Sequence, residues 1–314
     1  MKHALVLALI AGAAVSAGAD EASAQANRTW VSGLGSNSNP CTRSSPCQTF
    51  AGAYAKTNAG GEIDVLDPGD FGTLIITHAI TIDGQGQLAS ILTPGDPMFS
   101  AFYINAGPSD VVILRNLTIN GEGQGGIGIV FNTGAALHIH NCVIMNATSG
   151  TQGLKFSPNA ASMLFIQDTV ITNNAGGGLL VAPVSGGSAK VALSRVRLNG
   201  NGPYGLRGDT TGSGSGTVNV AVTDSEIAGN AGDGVEGASG SSTVIVVINR
   251  SDIVHNAVSG ISANGSNVYL LAGGSTFDGN TYASFGYGTY TYQNNSSNGN
   301  SGSNGVFINT LTLR

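Results

Sequence analysis

Charge is scarce in this 314-residue chain. Only 10% of residues are Asp, Glu, Lys or Arg, against about 25% in an ordinary globular domain. The 12 basic side chains are outnumbered by 18 acidic ones, so nothing basic is concentrated enough to grip a phosphate backbone. Nucleic acid is therefore excluded as the main partner. Aromatics make up 6%, too few to pave a sugar-stacking platform along the whole length. Three cysteines are too few for a disulfide scaffold. No Asp-Asp pair occurs anywhere, which removes one common way of placing two carboxylates for glycoside hydrolysis. The one long apolar run, Ala4 to Ala17, is too short to cross a bilayer comfortably, so no membrane span is expected.

That run instead reads as an export signal. Lys2 and His3 precede it, and small-x-small cleavage sites follow, the last at Ala24-Gln25-Ala26. Cleavage after Ala26 leaves 11 basic and 16 acidic side chains, a formal charge of −5. The expected location is secreted or periplasmic. In such an oxidising compartment Cys41 and Cys47, which bound a short Pro-containing loop, are expected to form a disulfide. Cys142 has no evident partner.

What the chain has in abundance is glycine, 48 residues, and evenly spaced aliphatics within a 41% hydrophobic content. The aliphatics repeat. Ile119, Ile144, Ile171, Leu198, Ile227, Ile253 and Phe277 recur at spacings of 25, 27, 27, 29, 26 and 24 residues. Seven residues before these anchors stand Val112, Leu137, Leu164, Val191, Val220, Val246 and Leu270, and the residues five before are apolar as well. Between them lie polar or small residues such as Arg115, His140, Gln167 and Thr223, a period-2 strand with one buried face. Three after the anchor comes Asn in five units, Asn174 to Asn280. Seven and eight after comes a Gly-apolar pair, as in Gly178-Leu179 and Gly205-Leu206, with Gly126-Ile127 and Ser284-Phe285 at the ends. In the second unit the pair is Gly153-Leu154, displaced by a two-residue insertion.

One such unit cannot bury its apolar face alone, so units must stack strand on strand. The expected fold is all-β: a parallel β-helix of three short strands per coil, with stacked Asn amides bonded along the axis. Gly and Asn are expected to recur because turns need positive φ. The expected organisation is a signal at 1–26, an N-terminal segment and cap at 27–60, the solenoid at 61–288 and a C-terminal cap at 289–314. Thr49 to Thr57 is expected to form a short capping helix. Ile75, Ile80 and Ile82 are expected inside earlier, less regular coils.

The N-terminal residues carry a resemblance. Pro46-Cys47-Gln48-Thr49-Phe50, Ala53, Gly60-Gly61, Ile63-Asp64-Val65 and Asp67-Pro68-Gly69 resemble the start of pectin-lyase-like right-handed parallel β-helix proteins. More closely, Trp30-Val31-Ser32-Gly33 and the paired cysteines resemble a group of secreted bacterial β-helix proteins. The resemblance covers about residues 29 to 285. It implies a capping helix, a right-handed solenoid and a substrate-side sheet. It implies no single activity, because that superfamily includes lyases, hydrolases, adhesins and scaffolds. The Asn-x-Asp, His-Gly and Arg-x-Lys motifs of its glycoside hydrolases do not stand at matching places here.

On the sheet begun by each Gly-apolar pair, the outward column reads Gly128, Lys155, Leu180, Arg207, Glu236, Ser262 and Gly286. Asp209 and Asp233 lie near it. A polysaccharide lyase needs a base, a role for Arg207 or Glu236, and carboxylates to hold Ca²⁺, a role for Asp209 and Asp233. The same residues equally make a solvated ion-pair group. Lys155 and these four are the substrate-binding candidates. His138 and His140, i and i+2 on one strand, are a second metal candidate with no evident third ligand. The tripeptide Arg207-Gly208-Asp209 is expected in a strand rather than a protruding loop. The leading expectation is a secreted scaffold or surface protein that contacts polysaccharide without catalysis. The alternative is a lyase or hydrolase acting on an acidic glycan.

Overall fold

The structure is a computed structural model and describes residues 25–93, 100–123, 125–148, 150–184, 186–212, 216–302 and 307–311. Residues 1–24, which hold most of the expected export signal, lie outside the described residues. Among the described residues the strands form three parallel sheets of twelve, nine and ten strands. Successive coils contribute one strand to each sheet. One coil, for example, runs through Ala161–Gln167, Val170–Thr172 and Leu179–Val181. The chain is a parallel β-helix.

The sequence periods become registers. Leu137, Leu164, Val191, Val220, Val246 and Leu270 pair in order on the twelve-stranded sheet. The anchors from Ile119 to Phe277 pair in order on the ten-stranded sheet. Both columns point inward, with each of these anchors no more than 1% exposed. Burying each Leu or Ile contributes roughly 1.5–3 kcal/mol, and the columns repeat that contribution on every coil.

Polar ladders tie the coils at the turns. The buried Asn174, Asn201, Asn230, Asn256, Asn280 and Asn300 stack amide on amide, with Nδ2 to Oδ1 distances of 2.8–3.2 Å. Each also bonds backbone: Asn230 Nδ2 donates to the Leu198 carbonyl at 3.0 Å, and its Oδ1 accepts from the Asn201 N–H at 2.9 Å. A second ladder runs two residues before the anchors, where Ser225 N–H donates to Ser251 Oγ and Ser251 N–H to Ser275 Oγ, both at 3.2 Å. Cys142 occupies the same inward column, 2% exposed, and burial pushes its thiol up to about 12.

Positive φ is not where the recurrent Asn and Gly stand. It falls three residues before the anchor, at Asn116, Asn141, Asp168, Arg195, Asp224, Arg250 and Gly274, and two after it, at Asn146, Asn173, Gly200, Gly229, His255 and Gly279. The glycines of the Gly-apolar pairs answer to close approach. A Cβ on Gly205 would meet Ile227 Cγ2 at 2.6 Å, Asn230 Nδ2 at 2.8 Å and the Gly234 carbonyl at 2.9 Å.

The irregular coils depart from expectation in three places. Ile75 is 64% exposed, while its neighbours Leu74 and Ile76 point inward. A run of three apolar residues does not declare its own alternation, and a one-residue slip reverses the face. The same slip affects Phe285: Ser284, not Phe285, pairs with Ile261, and Phe285 is 54% exposed. At the other end Ile129, not Ile127, pairs with Leu154, so the first unit shares the second unit's longer turn.

At the N-terminal end the helix Phe50–Tyr54 starts at Thr49, whose hydroxyl accepts from the Gly52 N–H at 3.1 Å. Phe50 is fully buried against Phe71 and Phe102, at ring distances of 5.3 and 6.2 Å. The disulfide Cys41–Cys47 lies beside this helix, where Cys41 Sγ is 3.7 Å from the Gly52 carbonyl. At the C-terminal end Thr289–Thr291 and Ser296–Asn298 add a further polar coil, and Asn309–Thr310 pairs onto the first of these. Asn300 belongs to that coil and ends the described amide ladder.

Candidate functional site

The outward face of the nine-stranded sheet carries most of the residues singled out by sequence. Its central row runs Tyr103, Val130, Lys155, Leu180, Arg207, Glu236, Ser262 and Phe285 in paired register. Val130 and Phe285 therefore take the places expected for Gly128 and Gly286. Gly128 lies in the close-approach column, and Gly286 in a turn at φ +89°.

Arg207, Asp209 and Glu236 form one ion-pair group. Arg207 Nε and Nη2 donate to Asp209 Oδ2 at 3.0 and 2.8 Å, and Nη1 donates to Glu236 Oε2 at 3.0 Å. The guanidinium also lies over the Tyr204 ring, 5.9 Å from its centroid. Asp209 Oδ1 accepts from the Thr211 N–H and hydroxyl, and Glu236 Oε1 accepts from Asn264 Nδ2 at 3.0 Å. Burial alone would lower the Arg207 pKa, but pairing with Glu236 and Asp209 outweighs it and raises it. Burial likewise opposes the Asp209 charge, yet the Thr211 and Arg207 hydrogen bonds hold its pKa below the usual range. The two carboxylates thus hold the Arg207 guanidinium in place and favour its charged form.

Asp233 stands apart from these three. Its Oδ1 accepts from the Ser259 N–H at 2.9 Å, and burial raises its pKa in spite of that bond. It pairs across the sheet with Tyr204, which is itself buried. Lys155 lies two strands from Arg207 in the central row, separated from it by Leu180. The Arg207-Gly208-Asp209 tripeptide lies within the strand Tyr204–Asp209, with Gly208 buried.

The row ends at an aromatic groove of about 940 Å³, lined by Asn264, Tyr282, Ser284, Phe285, Tyr287 and Ile308 among others. Tyr282, Phe285 and Tyr287 are 37, 54 and 86% exposed. Asn264 belongs both to this groove and to the Glu236 hydrogen bond, so the ion-pair group and the aromatics form one continuous surface.

His138 and His140 lie on another sheet. They stack 6.0 Å apart on the outward face of the twelve-stranded sheet, with His138 also 4.6 Å from the Phe165 ring. Burial lowers the pKa of both. Among the described residues no group of three or more His, Cys, Asp or Glu is placed to hold a metal ion.

Sequence reasoning missed one feature. Asp168, Arg195, Asp224 and Arg250, the positive-φ column, line a groove of about 630 Å³ between two sheets. Arg195 bonds Asp168 through two nitrogens at 2.6 and 2.9 Å, and Arg250 bonds Asp224 likewise at 2.8 and 3.0 Å. Their common offset from the anchors and alternating sign were the available signal.

No known protein family's sequence model matches the chain. No curated protein matches it either. Among solved structures it superposes on pectate lyase Pel9A with a TM-score of 0.66 and 16% identity, over 85% of this chain and 75% of that one. It also aligns with the A-module of the Azotobacter vinelandii mannuronan C-5 epimerase AlgE6, at 13% identity over 81% of this chain and 91% of that one. The GH136 lacto-N-biosidase from Eubacterium ramulus aligns at 12% identity over 91% and 67%. Both of these have TM-scores of 0.35 and add nothing to the argument. The pectate lyase superposition concerns architecture alone: the two chains share a parallel β-helix fold.

Proposed function

We propose that the protein is an exported β-helix that binds polysaccharide without turning it over. The ligand lies on the nine-stranded sheet, from Lys155 across Arg207 and Glu236 to the aromatic groove. One observation carries this reading: the polar group and the exposed Tyr282, Phe285 and Tyr287 share one surface through Asn264. Sugars present apolar C–H faces to aromatic rings and hydroxyls to charged and amide groups, so such a surface suits a glycan chain. Catalysis is disfavoured because the Arg207 guanidinium is held by two carboxylates, which keep it protonated. The expected export signal and the Cys41–Cys47 disulfide fit a protein that works outside the cytoplasm.

Asp233 favours a second reading, a lyase or hydrolase acting on an acidic glycan. Burial raises the pKa of this carboxyl, and shifted carboxyls in clefts are enriched at catalytic sites. Calcium discriminates. A Ca²⁺-dependent rise in melting temperature that is lost in Asp233→Ala would support the enzyme reading.

The deciding experiment is a glycan array followed by product release on the hits. Binding without turnover supports the proposal. The Phe285→Ala variant should then bind roughly tenfold more weakly, the equivalent of about 1.4 kcal/mol. Turnover lost in Asp233→Asn would establish the enzyme instead, and failure to bind any glycan would overturn both readings.

A further inference from the structure

The outward face of the twelve-stranded sheet carries a largely apolar stripe that no other described residue covers. Two of its columns matter. The central one starts with Ile113, then the ridge His138 and Phe165, then the shallow pair Ala192 and Ala221, then Val247, all solvent-accessible. The ridge stands because the two rings stack, and a trough of about 400 Å³ opens beside it over Ala192 and Ala221. The flanking column is mixed: Met163, Lys190, Asn219 and Ile245. On the other side runs a polar column that includes His140, Gln167 and Ser194.

We propose that this face pairs with a second copy of the chain. The two copies run antiparallel about a two-fold axis along the strand direction, between Ala161–Gln167 and Ser188–Ser194. That operator sets Phe165 against Ala192 of the second copy, and His138 against its Ala221. The ridge of each copy fills the trough of the other, as an isologous contact requires. Met163 then meets the aliphatic stem of Lys190, whose ammonium reaches the rim, and Gln167 meets Ser194. The apolar central columns face each other, the mixed flanking columns face each other with Ala136 against Asn219, and polar faces polar. A two-fold axis along the solenoid would instead set Met163 and Ile245 against the polar column and strip its groups of water.

Six strands at about 4.8 Å spacing, each some five residues wide at about 3.3 Å, give a flat footprint of roughly 480 Å² per copy, about 950 Å² in total, the size of a weak, concentration-dependent dimer.

The test is the oligomeric state of the full chain by sedimentation at low to high micromolar concentration. A dimer is expected. Ala221→Glu places a charge in the trough and should raise the dissociation constant on the order of a hundredfold or more. Ala221 is exposed in the single chain, so the circular dichroism and melting of dilute Ala221→Glu should match the parent. A chain carrying both His138→Cys and Ala221→Cys should cross-link into a dimer under mild oxidation, and neither single variant should. A monomer at every concentration would overturn the proposal. So would a dimer unaffected by Ala221→Glu, or one cross-linked equally by a single variant.

Discussion

Asn230 sits between two identical neighbours. Its amide donates to Asn256 and to the Leu198 carbonyl and accepts twice from Asn201, all at 1% exposure. Asn230→Ala would leave two donors and a carbonyl buried without partners, and each such group costs about 1–3 kcal/mol. We expect a loss of roughly 3 kcal/mol by urea denaturation, short of the full sum because the site relaxes. Asn230→Asp keeps the volume but loses both donors, so it should fare no better. A small effect in both variants would show that packing, not hydrogen bonding, holds the turn. His138 and His140 predict a pH dependence. Burial lowers their pKa values from the ordinary 6.5, so the unfolded chain binds protons first as pH falls. Their contribution to stability is intact above pH 6.5 and is lost as pH drops below it. Thermal melts from pH 8 to 5 should show this decline, and His138→Gln should flatten part of it.

A coil is punctuated by glycines that serve two different ends. Gly205 is hemmed in by Ile227, Asn230 and Gly234, whereas Gly229 has φ +63° and nothing within 4 Å of an added Cβ. Gly205→Ala therefore meets overpacking, about 1–3 kcal/mol or more. Gly229→Ala meets only the left-handed backbone cost, about 1–2 kcal/mol, and Gly229→Asn should recover part of it. Denaturation midpoints of the three variants check the order. Arg195 belongs to the same logic, since it holds φ +52° in an exposed turn. Arg195→Gly should keep or raise the melting temperature, while Arg195→Val should lower it, because a β-branched residue tolerates that conformation poorly. Sequence placed the Gly-apolar column correctly but gave it the wrong reason, because a recurring glycine looks the same whether it answers to φ or to a neighbour, and it missed the turn columns of Arg195 and Gly229.

Along the whole molecule, stability comes from contacts between adjacent coils, so an uncovered end exposes a complete row of partners. Ending the chain after Gly288 would uncover Phe277, which Phe307 now meets edge-on at 5.3 Å, and would unpair Asn280 from Asn300. Light scattering should show that this shortened chain aggregates at concentrations where the full chain does not. The amino-acid sequence by itself determined the solenoid, the inward columns from Val112 to Leu270, the anchors and the amide ladder. The apolar positions repeat in all seven units and the Asn in five, so copies of one weak local signal reinforce each other. It also named Arg207, Asp209 and Glu236, because neighbouring columns in a solenoid can be counted. Only the tertiary structure decided that Arg207 is tied to both carboxylates, that Asp233 is half-buried and bonds Ser259 instead of Arg207, and that Phe285 and Ile75 face water. Those outcomes turn on rotamers, burial and one-residue registers in irregular coils. A repeat cannot report them, since each occurs once.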